Sequence, residues 1–355
     1  MSKFFNTKFA NLDAYVPGEQ PQDMQYIKLN TNESPYRTSQ NVIDAAKTAS
    51  LKLNLYSDPN MSELTHKIQQ VCRIPESKIM CTNGSDEALN FVFMAFCTGS
   101  NNKVAFPDVT YGFYKVFAQL YNIDFNEIPL KDDFTIDYRD YCGINKNIVI
   151  ANPNAPTGLS IPLWQIEEIV KSNPNNTVTI DEAYIDFGGE SAVPLIEKYS
   201  NLIVVRTFSK SRSLAGARLG YVVADEELIQ DLNKLRFSTN PYNVNAMTQA
   251  CGIASLQDNF YYTDNCKKIV AAREHTKKAL ESMGFDVINS DTNFLLIKND
   301  KIDGELLYLE LKKRGVLVRH FNAERIKQYN RVTIGTPEQM KVFINTVNDI
   351  LRSQK

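Results

Sequence analysis

Histidine and paired cysteine are scarce in this 355-residue chain, and their scarcity excludes several kinds of site. The three histidines, His66, His275 and His320, are not paired at metal-binding spacing, which argues against a histidine-based metal site or hydrolytic triad. The six cysteines are scattered and include no Cys-x-x-Cys pair. We therefore expect reduced thiols in a cytoplasmic protein rather than disulfides or zinc ligands.

Long apolar runs and blocks of basic residues are also missing. No stretch approaches the length that crosses a membrane, and the first residues lack the long apolar core of a secretory signal. The net charge is −2, and no block of lysine and arginine stands out. We therefore expect neither a membrane nor a nucleic acid as a partner.

What remains is an ordinary globular composition, with 43% hydrophobic and 23% charged residues. The length suits two domains better than one, and we find no internal repeat or low-complexity segment. Predicted strands alternate with helices from about residue 79 to 223, which is typical of a parallel or mixed sheet with helices on both faces. A long helical region at about 257–283 would lead to a second, smaller domain.

The most informative segment follows the apolar run Leu202–Val205, which predicts a buried strand. Lys210, placed at the end of this strand among small residues, would be poorly solvated, so its amine can lose a proton and form a Schiff base with a carbonyl. The hydroxyls of Thr207 and Ser209 and the planar cation of Arg218 suit a phosphate. A carbonyl compound that carries a phosphate and is held by a lysine describes pyridoxal phosphate (PLP). The alternative is a buried strand before a cationic surface loop.

A second candidate anion site lies at the turn Gly84-Ser85-Asp86, between a predicted strand at 79–82 and a helix. A glycine turn that opens a helix presents free N–H groups at the positive end of the helix dipole, which attracts anions. The alternative is a helix that Ser85 caps, with no ligand.

Two more strand ends carry candidate residues. Tyr111 follows the predicted strand 103–107 and could stack on a pyridine ring or simply pack in the core. Asp181 ends the predicted strand 177–181, at the edge where parallel sheets bind ligands. Its carboxylate could keep a pyridine nitrogen protonated or could cap a turn.

The pattern Thr-x-Ser-Lys-x7-Arg-x-Gly-Tyr, from Thr207 to Tyr221, resembles the PLP attachment site of fold-type I aminotransferases of class I/II. It is most similar to the histidinol-phosphate aminotransferase group. The segments Asn30-Thr-Asn-Glu33, Asp181–Phe187 and Pro241–Asn245 resemble the same group, and the motifs follow in the family's order.

The resemblance implies an α/β fold, the PLP-dependent transferase fold type I. The large PLP-binding domain, expected at 46–255, would contain a mostly parallel seven-stranded sheet between helices. A smaller α+β domain would occupy 256–355. An N-terminal segment, 1–45, would pack with the small domain and the substrate pocket.

The resemblance also implies the roles of individual residues. Lys210 would hold PLP, Asp181 would pair with its ring nitrogen, and Tyr184 would bond its phenolic oxygen. Tyr56 would reach the PLP phosphate of the partner subunit in a homodimer. The other implied cofactor-binding residues are Gly84, Ser85, Asp86, Tyr111, Thr207, Ser209 and Arg218, and the implied substrate-binding residues are Arg331, Arg319, Asn32 and Tyr242.

Two departures from the family pattern matter. Ser57 replaces the proline of the family's Tyr-Pro-Asp. Ala155 replaces the asparagine that donates to the PLP phenolic oxygen in the family's Asn-Pro-x-Asn-Pro-Thr-Gly. Asn154, next to it, could take that role only in a loop of different shape, and we expect it among the cofactor-binding residues on that condition. The bond from Tyr184 then becomes more important.

The activity implied is amino transfer from L-histidinol phosphate to 2-oxoglutarate in histidine biosynthesis, with Lys210 moving a proton between the donor's Cα and the coenzyme. The same scaffold would suit an aromatic or broad-specificity aminotransferase, or a threonine-phosphate decarboxylase. Outside this class, a PLP-binding regulator without turnover and a non-enzymatic phosphate-binding protein remain as alternatives. Arg331 and Arg319 accept a carboxylate or a phosphate equally well, or form surface salt bridges, so the residues leave the amino donor open.

Overall fold

Three sheets organise the chain in the computed structural model, which describes residues 2–10, 12–99 and 103–353. In chain order the strands are β1 (Ile27–Lys28), β2 (Ile79–Thr82), β3 (Val104–Pro107), β4 (Phe125–Ile128), β5 (Asn147–Ala151), β6 (Val178–Asp181), β7 (Leu202–Thr207), β8 (Gly220–Ala224), β9 (Asp286–Val287), β10 (Phe294–Lys298), β11 (Val316–Leu317), β12 (Arg319–His320) and β13 (Asn330–Thr333).

Helices lie between and after these strands, and several begin at a residue whose side chain caps the first turn. Asp225, Asn245 and Asp303 each accept a hydrogen bond from a first-turn N–H group. The helices are α1 (Gln40–Ser50), α2 (Ser62–Cys72), α3 (Ser85–Val92), α4 (Phe113–Leu120), α5 (Leu163–Ser172), α6 (Glu226–Thr239), α7 (Ala246–Gln257), α8 (Asn259–Ser282), α9 (Gly304–Lys313) and α10 (Pro337–Ser353). Within the described ranges, none of these helices is both long enough and apolar enough to span a membrane.

The largest sheet has seven strands in the order β2-β8-β7-β6-β5-β3-β4. Six strands run in one direction, and β8 is antiparallel to both of its neighbours, so the predicted mostly parallel seven-stranded sheet is confirmed. The central strands are buried along their whole length because helices cover both faces. The carboxyl ends of β2, β6 and β7 lie at one edge and lead into Gly84, Asp181 and Lys210, which places these residues together.

A four-stranded antiparallel sheet, in the order β12-β13-β10-β9, forms the centre of the second half of the chain. Arg319 and Arg331 lie opposite each other on β12 and β13, so their side chains leave the same face of this sheet. The predicted domain ranges 46–255 and 256–355 each contain one of these two sheets.

The N-terminal segment packs on the second half of the chain. Strand β1 pairs in parallel with β11, and the Glu19 carboxylate contacts Lys312 and the hydroxyl of Tyr308 on α9. Leu29 lies in the same apolar cluster as β10 and β13. These contacts hold residues 15–32 between the seven-stranded sheet and the four-stranded sheet.

Candidate active site

Two adjoining cavities lie where the carboxyl edge of the seven-stranded sheet faces β12 and β13. We call them the Asp181 cavity, of about 160 Å³, and the Arg331 cavity, of about 350 Å³. They share the wall residues Thr31, Tyr111, Ala155, Tyr184 and Lys210. The Asp181 cavity also contains Ser85, Asp86, Thr207, Ser209 and Arg218, and the Arg331 cavity also contains Asn32 and Arg319. Most of the predicted site residues therefore surround one continuous space.

Lys210 lies in the wall common to both cavities. Its position follows from β7, whose apolar residues are buried and whose end turns into the segment Ser209–Ser211. The Lys210 Nζ donates a hydrogen bond of 3.3 Å to the backbone carbonyl of Thr31 and lies 5.7 Å from the centre of the Tyr184 ring. Among the described residues, no carboxylate forms an ion pair with it. The amine is thus held by a neutral acceptor at the edge of open space.

Asp181 is the buried acid of the site, with 4% of its surface exposed. Its Oδ1 accepts the N–H of Ala183 at 3.1 Å, and its Oδ2 accepts the hydroxyl of Tyr114 at 2.8 Å. Burial raises the pKa of Asp181 to about 6, and these two hydrogen bonds oppose that rise. Tyr114 has no role in the sequence prediction, although it follows Tyr111 by three residues and lies in the first turn of α4.

The turn after β2 provides the start of a helix with free N–H groups. Gly84 is the residue before α3, with φ +80°, and no side chain caps the first turn of the helix. The alternative in which Ser85 caps the helix is therefore wrong, because Ser85 is its first residue. The N–H groups of this turn lie beside the Asp181 cavity and are available to an anion.

Hydroxyls and a guanidinium complete this end of the cavity. Thr207 donates to the Ser209 hydroxyl at 3.0 Å, and Arg218 Nη1 lies 3.5 Å from the same oxygen. Arg218 Nη2 pairs with Asp86 at 2.9 Å, and Tyr111 donates to the other Asp86 oxygen at 2.8 Å. Arg218 thus joins the hydroxyls at the end of β7 to Asp86 in the first turn of α3.

Arg331 is a buried cation for which the described residues supply no carboxylate partner. Its Nη2 donates to the backbone carbonyl of Asn30 at 2.9 Å, whereas its buried Nε has no partner within the described residues. Burial lowers the pKa of Arg331, and Arg319 in the same cavity adds to that effect. Within the part of the chain that the structure describes, Arg319 donates to the backbone carbonyls of Pro17 and Val16. Two guanidinium groups without a carboxylate partner fit an anionic ligand and argue against surface salt bridges.

Tyr15 is a wall residue that the sequence analysis missed. It lines the Arg331 cavity, and its ring contacts Phe113 and the edge of Tyr111, with ring centres 4.3 and 6.2 Å away. Burial raises its pKa above the usual value. No sequence motif marks Tyr15, because its place at the cavity depends on contacts of the N-terminal segment with distant residues of β12, α9 and α4.

In the loop of Asn154 and Ala155, the Asn154 side chain does not lie where the predicted cofactor contact would require it. Ala155 lines both cavities, whereas Asn154 lines neither of them. The Asn154 amide donates to the Val109 carbonyl and the Thr157 hydroxyl, and its oxygen accepts from Thr110. Its side chain is therefore used within the loop, and Ala155 leaves the cavity wall without an amide there.

Tyr56 and Tyr242 lie away from both cavities. Their rings stack on each other at 4.4 Å with an interplanar angle of 20°. Tyr56 is 83% exposed, and Leu51, Leu53 and Leu55 on the same turn are also exposed. The site of one chain is thus built without either tyrosine, and an exposed apolar patch surrounds Tyr56.

The two cavities fit PLP on the chemistry of their side chains. A lysine amine lies next to a buried carboxylate, and an open helix start lies next to paired hydroxyls and Arg218. These groups match an aldehyde, a pyridine nitrogen and a phosphate. The adjoining Arg331 cavity leaves space for a second, anionic molecule.

Comparison with known proteins identifies similar chains. Residues 24–347 match the family model Aminotransferase class I and II. The chain is 47% identical to the histidinol-phosphate aminotransferase of Brachyspira hyodysenteriae, over 99% of this chain and 100% of that one, and 45% identical to that of Clostridium acetobutylicum, over 99% and 100%. The crystal structure of histidinol-phosphate aminotransferase from Sinorhizobium meliloti in complex with pyridoxal-5′-phosphate superimposes with a TM-score of 0.89 at 20% identity, over 100% of this chain and 99% of that one.

Proposed function

The chain belongs to the class I and II aminotransferase family, and from that membership we propose that it transfers the amino group of L-histidinol phosphate to 2-oxoglutarate. It is a PLP-dependent transaminase of fold type I, as the sequence predicts. The products would be imidazole acetol phosphate and L-glutamate, in a step of histidine biosynthesis. The relatives at 45 and 47% identity over nearly the whole chain support this substrate pair.

One observation carries the proposal. Lys210 and Asp181 line a cavity that continues directly into the space in front of the unpaired Arg331. An amine and a buried acid suit the coenzyme, and a guanidinium beside them suits the anionic end of an amino substrate. The reacting carbon of such a substrate would then lie near Lys210.

When bound, PLP supplies an aldehyde and an electron-withdrawing ring. The chain's own residues would do the rest. Lys210 Nζ would hold the coenzyme and, once the donor amine has replaced it, would take up the proton that leaves the donor's Cα. Asp181 would hold a proton on the ring nitrogen, and Tyr184 would donate to the phenolic oxygen. Arg331 and Arg319 orient the substrate by its anionic end.

The charges of the Arg331 cavity favour a phosphate-bearing donor. Arg319 and Arg331 both face the cavity without a carboxylate partner, and two guanidinium groups match a dianion better than a single carboxylate. The same pair can also receive the carboxylates of glutamate in the second half of the cycle. A threonine-phosphate decarboxylase remains the second candidate on this scaffold, and it would release carbon dioxide without needing an oxo-acid.

We also propose a homodimer in which Tyr56 reaches the PLP phosphate of the partner subunit. The exposed Tyr56 and the apolar residues around it support this assembly, because an apolar patch of this kind favours association. A cytoplasmic location is proposed as well, since all six cysteines are unbridged.

The first test is the visible absorption spectrum of the purified protein with PLP, before and after L-histidinol phosphate is added. We expect a yellow band that bleaches when the phosphate donor is added. Lys210→Ala should give no such band and should lose at least about 1,000-fold in kcat, since it lacks both the attachment point and the proton carrier.

Each other outcome has a distinct meaning. If L-histidinol phosphate leaves the yellow band unchanged and an aromatic amino acid bleaches it, the result would support a different amino donor. Release of carbon dioxide from threonine phosphate would favour the decarboxylase. A protein that stays colourless with added PLP would refute the assignment of Lys210.

A further inference from the structure

The hydroxyl of Tyr184 has one hydrogen-bond partner within the described residues, the side-chain amide of Asn32. Asn32 Nδ2 lies 2.9 Å from the Tyr184 oxygen. Both groups are buried, and both side chains line the Arg331 cavity. Asn32 belongs to the N-terminal segment, so this hydrogen bond joins that segment to the loop that follows β6.

Thr333 on β13 fixes which way this amide faces. The backbone N–H of Asn32 can only donate, and it donates to the Thr333 hydroxyl oxygen at 2.9 Å. The Thr333 hydroxyl then donates to Asn32 Oδ1 at 3.0 Å, and the described residues give it no other acceptor. If the amide were turned over, this buried hydroxyl would lose its acceptor. The nitrogen of the amide therefore faces Tyr184.

This direction determines what Tyr184 can do. Because its oxygen already accepts the N–H of Asn32, the phenol proton is left without an acceptor in the described part of the protein. Tyr184 lines the Asp181 cavity, so this proton is available to a group inside it. Ala155, which lines the same cavity, has no side-chain donor to offer.

We propose that Asn32 is a positioning residue, which makes Tyr184 a hydrogen-bond donor to the phenolic oxygen of PLP and so replaces the asparagine that position 155 lacks. The chain of bonds runs from Thr333 through Asn32 to Tyr184 and joins β13, which carries Arg331, to the coenzyme cavity. This inference rests on the proposed function, since it requires bound PLP.

The observable is the pH midpoint of the visible band, which reports the proton on the nitrogen that joins PLP to Lys210. A donor at the phenolic oxygen stabilises negative charge there and weakens the hold on that proton, so losing the donor raises the midpoint. The other charged groups of the two cavities stay the same in all variants; they are Asp86, Asp108, Asp181, Glu33, Arg218, Arg319 and Arg331.

The main variant is Asn32→Asp, which keeps the shape and tolerates the φ of 55° at this position. Its carboxylate accepts the Tyr184 proton and withdraws it from the cavity. We expect the midpoint to rise by about one pH unit. Adding Ala155→Asn supplies a new donor in the same wall and should return the midpoint most of the way towards that of the unmodified protein.

Thr333→Val provides a second test that adds no charge. It removes the hydroxyl that fixes the amide of Asn32, and we expect a rise of a few tenths of a pH unit, whereas Thr333→Ser keeps the hydroxyl and should leave the midpoint unchanged. If Asn32→Asp does not fold, this pair decides the question. The inference is overturned if Asn32→Asp and Thr333→Val keep the original midpoint, or if Ala155→Asn does not reverse the rise. An unmodified protein without a visible band would instead refute the proposed function.

Discussion

At the residue scale, the buried acid Asp181 links the site to the stability of the coenzyme-free protein. Its pKa is about 6 in the folded protein, against 3.8 for an ordinary aspartate, because burial outweighs the bonds from Tyr114 and Ala183. A raised folded pKa means that the folded state holds this proton more tightly than the unfolded state. The corresponding stability is present below pH 4 and is lost as the pH rises through 6.

We therefore predict that Asp181→Asn removes this pH dependence. The coenzyme-free parent should lose about 2 kcal/mol of unfolding free energy from this group between pH 4 and 7, and the variant should lose correspondingly less. Urea unfolding at several pH values measures the difference. Asp231→Asn, on the exposed side of α6, is the matched control. Equal slopes in parent and Asp181→Asn would contradict the prediction.

The same scale shows which parts of the site a sequence can predict. Lys210, Asp181 and Arg331 are in motifs whose chemistry is local, and the structure places them around one space. Tyr15 and the bond from Asn32 to Tyr184 depend on contacts between residues more than 90 positions apart. The motif alone does not show that the Asn154 amide is used within its own loop, because that use depends on contacts with Val109 and Thr157.

At the element scale, β8 holds the two strand ends that surround the anion site. Gly220, its first residue, pairs with Thr82 on one side and with Thr207 on the other. A Cβ atom at this position would lie 2.6 Å from the backbone nitrogen of Ser85 and 2.7 Å from the carbonyl carbon of Gly84. Neither backbone atom can move without displacing the start of α3.

Gly220→Ala should therefore weaken PLP binding at least about tenfold and cost about 1–3 kcal/mol of unfolding free energy. PLP binding can be measured by equilibrium dialysis, and stability by urea unfolding. Gly216→Ala is the control, because a Cβ atom there meets no atom within 4 Å and the residue lies in the same loop region as Arg218. Similar PLP affinity in both variants would refute a role of backbone packing at the anion site.

Elements with an unbroken apolar run were the easiest to predict. The predicted strand 79–82 agrees with β2 to the residue. Strand β4 was missed, because its residues Phe125–Ile128 contain two polar side chains and lie at the edge of the sheet, half exposed. An edge strand owes its conformation to the neighbour it pairs with, and that neighbour is not visible in the local sequence.

At the scale of the whole molecule, the proposed dimer predicts that two defective chains can restore each other. A hybrid of Lys210→Ala and Tyr56→Ala would contain one site with both residues intact, if Tyr56 acts across the interface. Random exchange of subunits should then give about a quarter of the parent activity, provided that each variant alone is weakly active. The measurement is activity after mixing and re-equilibration.

The control mixture combines Lys210→Ala with Arg331→Ala. These residues line one cavity of one chain, so no hybrid site contains both, and no activity should return. Activity in neither mixture, together with a monomer in sedimentation equilibrium, would refute the proposed role of Tyr56.

The pairing of β1 with β11 has a consequence for the order of synthesis. Residues 27 and 28 are made early, whereas their partners at 316 and 317 come almost 290 positions later. On the ribosome, the seven-stranded sheet can form long before Arg331 and Thr333 are synthesised. Until β11 has been made, β1 has no partner strand and the N-terminal segment stays exposed to solvent. The pairing of β1 with β11 closes a loop of almost 290 residues, which favours a late folding event. A growing chain can therefore contain Lys210 and Asp181 in a folded sheet before Arg331, the proposed substrate-binding residue, has been made. The site is complete only after the N-terminal segment has packed on the last strands of the chain.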